Sequence, residues 1–253
     1  VLKWGCAGAA IATIFAQAVS GILCLLLIAF KVNVLHVPKS SRYMDKKHSI
    51  KLLAMGVPMG LQFSITAIGS MVMQSANNAL GTIYVSGFTA GMRIKSLMMC
   101  PFDALDAAVS TFLSQNYGAC KLDRIHDGYC KGVMVSILYG VFACIVMVFF
   151  GRILSMMFVS ANESQVLNAS ALYLRRMGYF YPILGILITT RMSVQGLGYS
   201  ARAMLAGFVE MIARCIVALC FVPIFKYNAI TWADQTAWVA ATLVLIPLWI
   251  STI

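Results

Sequence analysis

The longest uncharged stretch of this sequence runs from Leu52 to Met92 and contains no Lys, Arg, Asp or Glu. One helix needs about 20 apolar residues to cross the ~30 Å hydrocarbon core of a bilayer, so this stretch is long enough for two crossings. The polar and small residues at 77–82 interrupt it towards its end and predict a tight turn between two spanning helices. The chain is therefore predicted to be a membrane protein.

Apolar segments of spanning length recur along the rest of the chain, which is 61% hydrophobic and only 11% charged. An ordinary soluble domain contains about 25% charged residues. We predict an all-α membrane protein with six or so transmembrane helices, some of them bent at Pro58, Pro101 and Pro182. The apolar segments are Trp4–Phe30 and then, in approximate numbers, 52–79, 83–117, 132–158, 168–198, 203–225 and 235–253.

Basic residues are concentrated in alternate connections between these segments. The connections 31–51, 118–131 and 199–202 carry ten Lys and Arg residues, whereas 80–82, 159–167 and 226–235 carry one, Lys226. Because Lys and Arg are retained on the cytoplasmic side, the first three connections are predicted to be cytoplasmic. The net charge of +11 is explained in this way and does not indicate a nucleic-acid partner.

A stripe of polar residues follows the second segment at every fourth position. It consists of Gln62, Thr66, Ser70, Gln74 and Asn78. Such a stripe could form hydrogen bonds between helices, or it could line a water-accessible cavity. In both cases we expect Gln62, Thr66, Gln74 and Asn78 to face the interior of the helix bundle, because amide groups cannot be left unpaired in lipid.

The third segment carries a second polar face that includes two charges, Arg93 and Asp103. Ten residues of helix place them about 15 Å apart, too far for a direct ion pair. They are either structural charges neutralised by other helices or functional groups, and we expect at least Asp103, with Ser96, to face the bundle interior. Lys95 and Asp106 lie off this face.

Later segments contain a further group of charges. Arg191 and Gln195 lie one turn apart, and Glu210 and Arg214 have the i, i+4 spacing of a favourable helical ion pair. That pair could be purely structural. Glu210 is also a candidate proton or cation site, because a carboxylate near a polar cavity can change its protonation state.

The sequence lacks the residue patterns of common enzymes. It has no Gly-rich phosphate loop, its three histidines lie in the polar connections, and its eight cysteines show no metal-ligand spacing. We therefore predict that the chain is not an enzyme and binds no metal or organic cofactor.

Five segments resemble the multidrug and toxic compound extrusion (MATE) family of transporters. Gly56–Gln62 resembles the start of the family's seventh helix, and Pro101–Leu105 with Ser110–Ala119 resembles its eighth helix and exit loop. Gln195–Ser200 is similar to the end of the family's tenth helix, and Trp4–Thr13 is similar to the family's sixth helix. The motifs occur in family order and cover essentially the whole chain.

The resemblance implies a twelve-helix secondary transporter with two lobes, located in the inner (plasma) membrane. Residues 1–30 would form the last helix of the first lobe, 31–51 a cytoplasmic linker and 52–253 the second six-helix lobe. The chain would then be a piece of a longer protein whose N-terminal lobe is missing here. Such a protein exports cationic or amphipathic small molecules in exchange for protons or sodium.

The candidate substrate- or cation-binding residues are drawn from the polar faces described above. They are Gln62, Thr66, Gln74, Asn78, Arg93, Asp103 and Glu210. Asp106, Ser114 and Lys95 depart from the family pattern. Residues 52–79 contain no acid, so the coupling carboxylate could instead lie in the missing lobe. Two alternatives stay open: a lipid-linked saccharide flippase of the same superfamily, and a truncated fragment that transports nothing.

Overall fold

The computed structural model describes residues 5–31 and 45–252, which are almost entirely helical. The helices are α1 (Gly5–Lys31), α2 (Lys46–Asn78), α3 (Thr82–Gly118), α4 (Leu122–Ser155), α5 (Ser164–Gly178), α6 (Tyr181–Gly196), α7 (Ser200–Ile216), α8 (Val222–Phe225) and α9 (Tyr227–Ile250). A π-helical turn, Val217–Phe221, joins α7 to α8. Within the described ranges, six continuous helical stretches are long and apolar enough to cross a membrane. The predicted all-α membrane fold is confirmed.

The chain divides into two compact units, 1–50 and 51–253. In the first unit, the Asp45 carboxylate caps α2 by accepting a hydrogen bond of 3.1 Å from the Lys47 N–H and by contacting the His48 ring. The interaction with His48, helped by the Lys47 N–H, lowers the pKa of the Asp45 carboxyl. Most of the predicted linker 31–51 lies outside the described residues.

The tight turn predicted between the second and third segments is present. α2 ends at Asn78, the N–H of Leu80 donates to the carbonyl oxygen of Asn77 at 3.0 Å, and α3 begins at Thr82. Gly81 adopts a φ of 103°, a conformation that is available to glycine without a steric penalty. α3 then continues through Pro101 to Gly118 as one helix, as predicted.

Three predicted boundaries are wrong. The segment 168–198 is not one bent helix but two helices, α5 and α6, interrupted at Tyr179 and Phe180. Pro182 lies in the first turn of α6, where its missing N–H breaks no helical hydrogen bond. The loops predicted at 118–131 and 226–235 are instead helical from Leu122 and from Tyr227. The second change places Asp234 inside α9.

Close approaches at small residues hold the second unit together. A Cβ atom added at Gly140 of α4 would lie 2.7 Å from the Cα of Pro182 in α6. A Cβ atom added at Gly87 of α3 would lie 2.8 Å from the Cβ of Ala169 in α5. Packing through small residues is typical of membrane helices, where dispersion contacts replace the hydrophobic effect. α3, α4, α5, α6 and α9 therefore enclose a core in which Phe102 and Tyr181 are completely buried.

Candidate functional site

Five charged side chains from four helices form an unbroken chain of ion pairs through the second unit. Lys95 of α3 donates to Asp234 of α9 with an Nζ–Oδ2 distance of 2.7 Å. The other carboxylate oxygen of Asp234 accepts from the Nε of Arg214, in α7, at 3.1 Å. Each charge therefore meets an opposite one, which offsets part of the desolvation penalty of burying it.

The chain continues on the far side of Arg214. One terminal nitrogen of this guanidinium lies 3.3 Å from Oε2 of Glu210, and the other oxygen of Glu210 contacts Arg191 of α6. Only 2% of the Glu210 side chain and 5% of the Arg214 side chain are exposed. We call these five residues, Lys95, Asp234, Arg214, Glu210 and Arg191, the ion-pair chain.

Aromatic groups fix the end of the ion-pair chain at Lys95. The hydroxyl of Tyr173, in α5, donates to Oδ2 of Asp234 at 3.0 Å. The Lys95 ammonium lies 5.2 Å from the centre of the Trp238 ring, within the range of a cation–π interaction. Asp234 thus accepts hydrogen bonds from three other helices, which holds its carboxylate at one position.

A cavity of about 450 Å³ opens beside Lys95 and Asp234, between α2, α3 and α9. Its apolar wall includes three methionines, Met71, Met73 and Met92, and the Phe88 ring. Its polar groups are Ser70, Gln74, Lys95 and Asp234. We call this space the methionine-lined cavity. It combines an adaptable apolar surface with a fixed carboxylate and is within the size range of small-molecule pockets.

The predicted polar stripe of α2 turns gradually away from the interior. Gln62 is buried and its Oε1 accepts from the Nε2 of Gln195 at 2.7 Å. Thr66 and Gln74 are half-buried, and Gln74 lies on the cavity wall. Asn78 is exposed and accepts a hydrogen bond from Gln74, so the expectation that it faces the interior is wrong. Four residues turn a helix by about 400°, so each member of the stripe is rotated by about 40° from the one before it.

The predicted polar face of α3 also lies outside the core of this unit. Arg93, Ser96 and Asp103 are exposed, so the expectation that Ser96 and Asp103 face the interior of this bundle is wrong. Asp106 is only 2% exposed, and Lys95 is part of the ion-pair chain. The two charges predicted to lie off the polar face are therefore the two that the fold encloses.

The predicted ion pair between Glu210 and Arg214 is confirmed. It is not isolated on one helix, because Arg191 of α6 also contacts Glu210. The sequence did not single out Asp234 at all, since it was assigned to a loop. A usable signal existed: Glu210 and Asp234 are the only acids after residue 163. Two acids buried among apolar helices require cationic partners, and Lys95, Arg191 and Arg214 supply them.

No group of His, Cys, Asp and Glu residues that could hold a metal ion occurs within 5–31 and 45–252. The groups that the ion-pair chain and the methionine-lined cavity present are charges, hydrogen-bonding side chains and apolar surface. A carboxylate held on a cavity wall can bind a proton or a cation, and the methionines can adapt to ligands of different shape.

Comparisons with known proteins agree with this architecture. The MatE family model matches residues 58–220, which is more than half of the chain, and the chain belongs to the MatE family. It is 28% identical over 237 residues to the probable multidrug resistance protein YpnP of Bacillus subtilis (strain 168), which covers 93% of this chain and 50% of that protein. It is 24% identical over 237 residues to the probable multidrug resistance protein NorM of Thermotoga maritima, with the same coverage of this chain and of the relative. The chain thus spans about half the length of these relatives.

A solved structure shows the same fold. The outward-facing conformation of a multidrug resistance MATE family transporter of the MOP superfamily superposes with a TM-score of 0.88, although the sequences are only 16% identical. The match covers 99% of this chain and 57% of that one. The predicted family resemblance is confirmed, and the half-length match is consistent with one lobe of such a transporter.

Proposed function

We propose that this member of the MatE family forms the C-terminal lobe of a multidrug exporter in the plasma membrane, driven by exchange for protons or sodium. Relatives named as probable multidrug resistance proteins, matched over half their length, support the assignment. The N-terminal lobe of the same polypeptide would complete the transporter, and cationic or amphipathic small molecules would be its substrates.

The observation that carries the proposal is the Asp234 carboxylate on the wall of the methionine-lined cavity, paired with the Lys95 ammonium at 2.7 Å. A cationic substrate offers the same charge as Lys95 and can take its place. Because Asp234 is only 14% exposed, the exchange occurs away from bulk water, where an ion pair is less screened. The methionines supply apolar contacts that adjust to the rest of the molecule.

The exposed polar face of α3 supports the presence of a second lobe. Arg93 and Asp103 are charged groups on a helix of spanning length, and lipid would be a costly environment for them. We propose that this face, together with Asn78 of α2, borders a water-filled passage between the two lobes. Transport by alternating access would expose that passage to each side of the membrane in turn.

The test is export of ethidium, a flat monovalent cation, by cells that produce the full-length protein. Asp234→Asn removes the carboxylate charge and keeps its shape, so export should fall at least about tenfold, the equivalent of roughly 1.4 kcal/mol of lost interaction. Asp127→Asn is the matched control, because Asp127 is an exposed acid on α4, paired with Lys131 and remote from the cavity.

Loss of the protein itself must be separated from loss of transport. The double variant Lys95→Met, Asp234→Asn removes both members of the outer pair and so leaves no uncompensated Lys95 charge in the cavity wall. It should reach the membrane at normal levels and still fail to export ethidium. Normal export by either Asp234 variant would refute the role of Asp234.

A further inference from the structure

Asp106 occupies a buried polar pocket that the proposed export site does not use. It lies on α3, and only 2% of the residue is exposed. The Thr189 hydroxyl of α6 lies 3.5 Å from its Oδ1 and is itself 2.5 Å from the Ser136 hydroxyl of α4. The other carboxylate oxygen, Oδ2, is buried and has no hydrogen-bond partner among the described residues.

Charged and titratable groups surround Asp106 on α3, α4 and α6. Asp103 of its own helix and Arg191 of α6 lie close enough to act on it electrostatically. α4 presents the Ser136 hydroxyl and, bonded to Thr190, the Tyr129 hydroxyl. α5 packs on a different part of α3, around Gly87 and Gly91. Asp106 therefore has one cation nearby and no direct ion pair among the described residues.

A buried carboxylate with a free oxygen is costly when ionised, because nothing replaces the water that solvated it. Adding a proton to Oδ2 removes the charge and gives that oxygen a hydrogen to donate. The step is a simple addition: one O–H bond forms, the proton comes from water, and no other bond in the protein breaks.

Arg191 links this pocket to the ion-pair chain. Its guanidinium contacts Glu210 and also acts on Asp106, while its Nε lacks a hydrogen-bond partner within the described part of the chain. Glu210 contacts Arg214, Arg214 contacts Asp234, and Asp234 lies on the cavity wall. From Arg191 to the wall of the methionine-lined cavity, each step is thus a direct ion pair, and Arg191 acts on Asp106 through its charge.

The ion-pair chain has a net charge of +1, since it contains three cations and two anions. An ionised Asp106 balances that charge from within the core, whereas Asp103 lies on the exposed face of α3. When Asp106 carries a proton, that single positive charge is uncompensated. The charges of Arg191 and Arg214 then act on Glu210 and Asp234 with no opposing charge from Asp106, which weakens the attraction of Asp234 for any cation in the cavity.

We propose that Asp106 is a proton-binding site whose charge is transmitted through Arg191, Glu210, Arg214 and Asp234, so that a proton on Asp106 weakens cation binding in the methionine-lined cavity. This inference deepens the proposed export function and rests on it for the class of ligand. By reciprocity, a cation bound at Asp234 must favour release of the proton from Asp106. Exchange of one for the other would couple transport to a proton gradient.

The first test needs no transport. Incorporating fluorotryptophan into the full-length protein gives a ¹⁹F resonance for Trp238, which is assigned by its loss in Trp238→Phe and which reports on the Lys95 ammonium beside the ring. This resonance should shift as the pH is changed in the wild-type protein. In Asp106→Asn the shift should disappear, while Asp106→Glu should retain it. Asp127→Asn, which alters an exposed acid on α4, should titrate like the wild type.

The second test measures equilibrium binding of ethidium to the purified full-length protein. Wild-type affinity should fall about tenfold on acidification, whereas Asp106→Asn should bind weakly at every pH because Asn mimics the protonated acid. A Trp238 shift or a pH-dependent affinity that survives in Asp106→Asn would overturn the proposal. If the wild type binds no ethidium but the Trp238 shift depends on Asp106, the proton site stands and the export assignment fails.

Discussion

At the scale of single residues, burial on α3 changes completely within one turn. Asp103 is exposed and Asp106 is buried, although both were visible as acids in the sequence. The spacing of polar residues correctly grouped Arg93 and Asp103 on one face but could not show which face the fold encloses. That choice depends on how α3 packs against α4, α5 and α6.

The closest approach of a glycine to a backbone atom of another helix gives a stability prediction. Gly140→Ala places a Cβ atom 2.7 Å from the Cα of Pro182, a backbone atom that cannot move aside, and should lower stability by about 1–3 kcal/mol. Gly56→Ala is the control, because nothing lies within 4 Å of its new methyl group and alanine favours helix. Thermal unfolding in detergent measures both. Equal melting temperatures for the two variants would contradict the packing described here.

At the scale of helices, sequence periodicity located the membrane segments well and their ends poorly. The run from Leu52 to Met92 resolves into most of α2, a tight turn and the start of α3, as expected. The failure at 226–235 has a physical cause: the polar residues of this range lie on a helix, in which Thr231 and Asp234 are paired with Arg176 of α5 and Lys95 of α3. The chain turns into α9 at Lys226, which has a φ of 49°.

The start of α9 can be tested by nitroxide scanning from Lys226 to Trp238. Asn228, Trp232 and Thr236 are exposed, whereas Ala229, Ala233 and Ala237 are buried, which is the pattern of a helix. Oxygen accessibility should therefore peak at 228, 232 and 236. Uniformly high mobility over this range would instead support the loop predicted from sequence and would remove Asp234 from its position in the ion-pair chain.

At the scale of the whole molecule, the distribution of Lys and Arg predicts an orientation that no contact within the lobe specifies. Ten basic residues against one favour a cytoplasmic location for 31–51, 118–131 and 199–202. The helical class followed from the apolar segments, and the family resemblance followed from sequence motifs. The ion-pair chain did not, because its members come from α3, α6, α7 and α9, up to 139 residues apart.

The orientation is checked with a membrane-impermeant thiol reagent applied to intact cells, in a full-length protein lacking its native cysteines. A cysteine at Lys121, in the connection before α4, should be protected, and one at Asn162, in the connection before α5, should react. Reaction at position 121 from outside would reverse the topology, and with it the direction in which the cavity must open.

We propose centrally that this lobe belongs to an exporter that exchanges a cation for a cationic compound. Its most direct test is ethidium movement in proteoliposomes containing the full-length protein, with a proton or a sodium gradient imposed in the absence of any other energy source. One of the two gradients should drive ethidium against its own concentration, and collapsing that gradient with an ionophore should stop the movement. Asp234→Asn should abolish it. Ethidium movement unaffected by either gradient, or none at all in the wild type, would contradict the account.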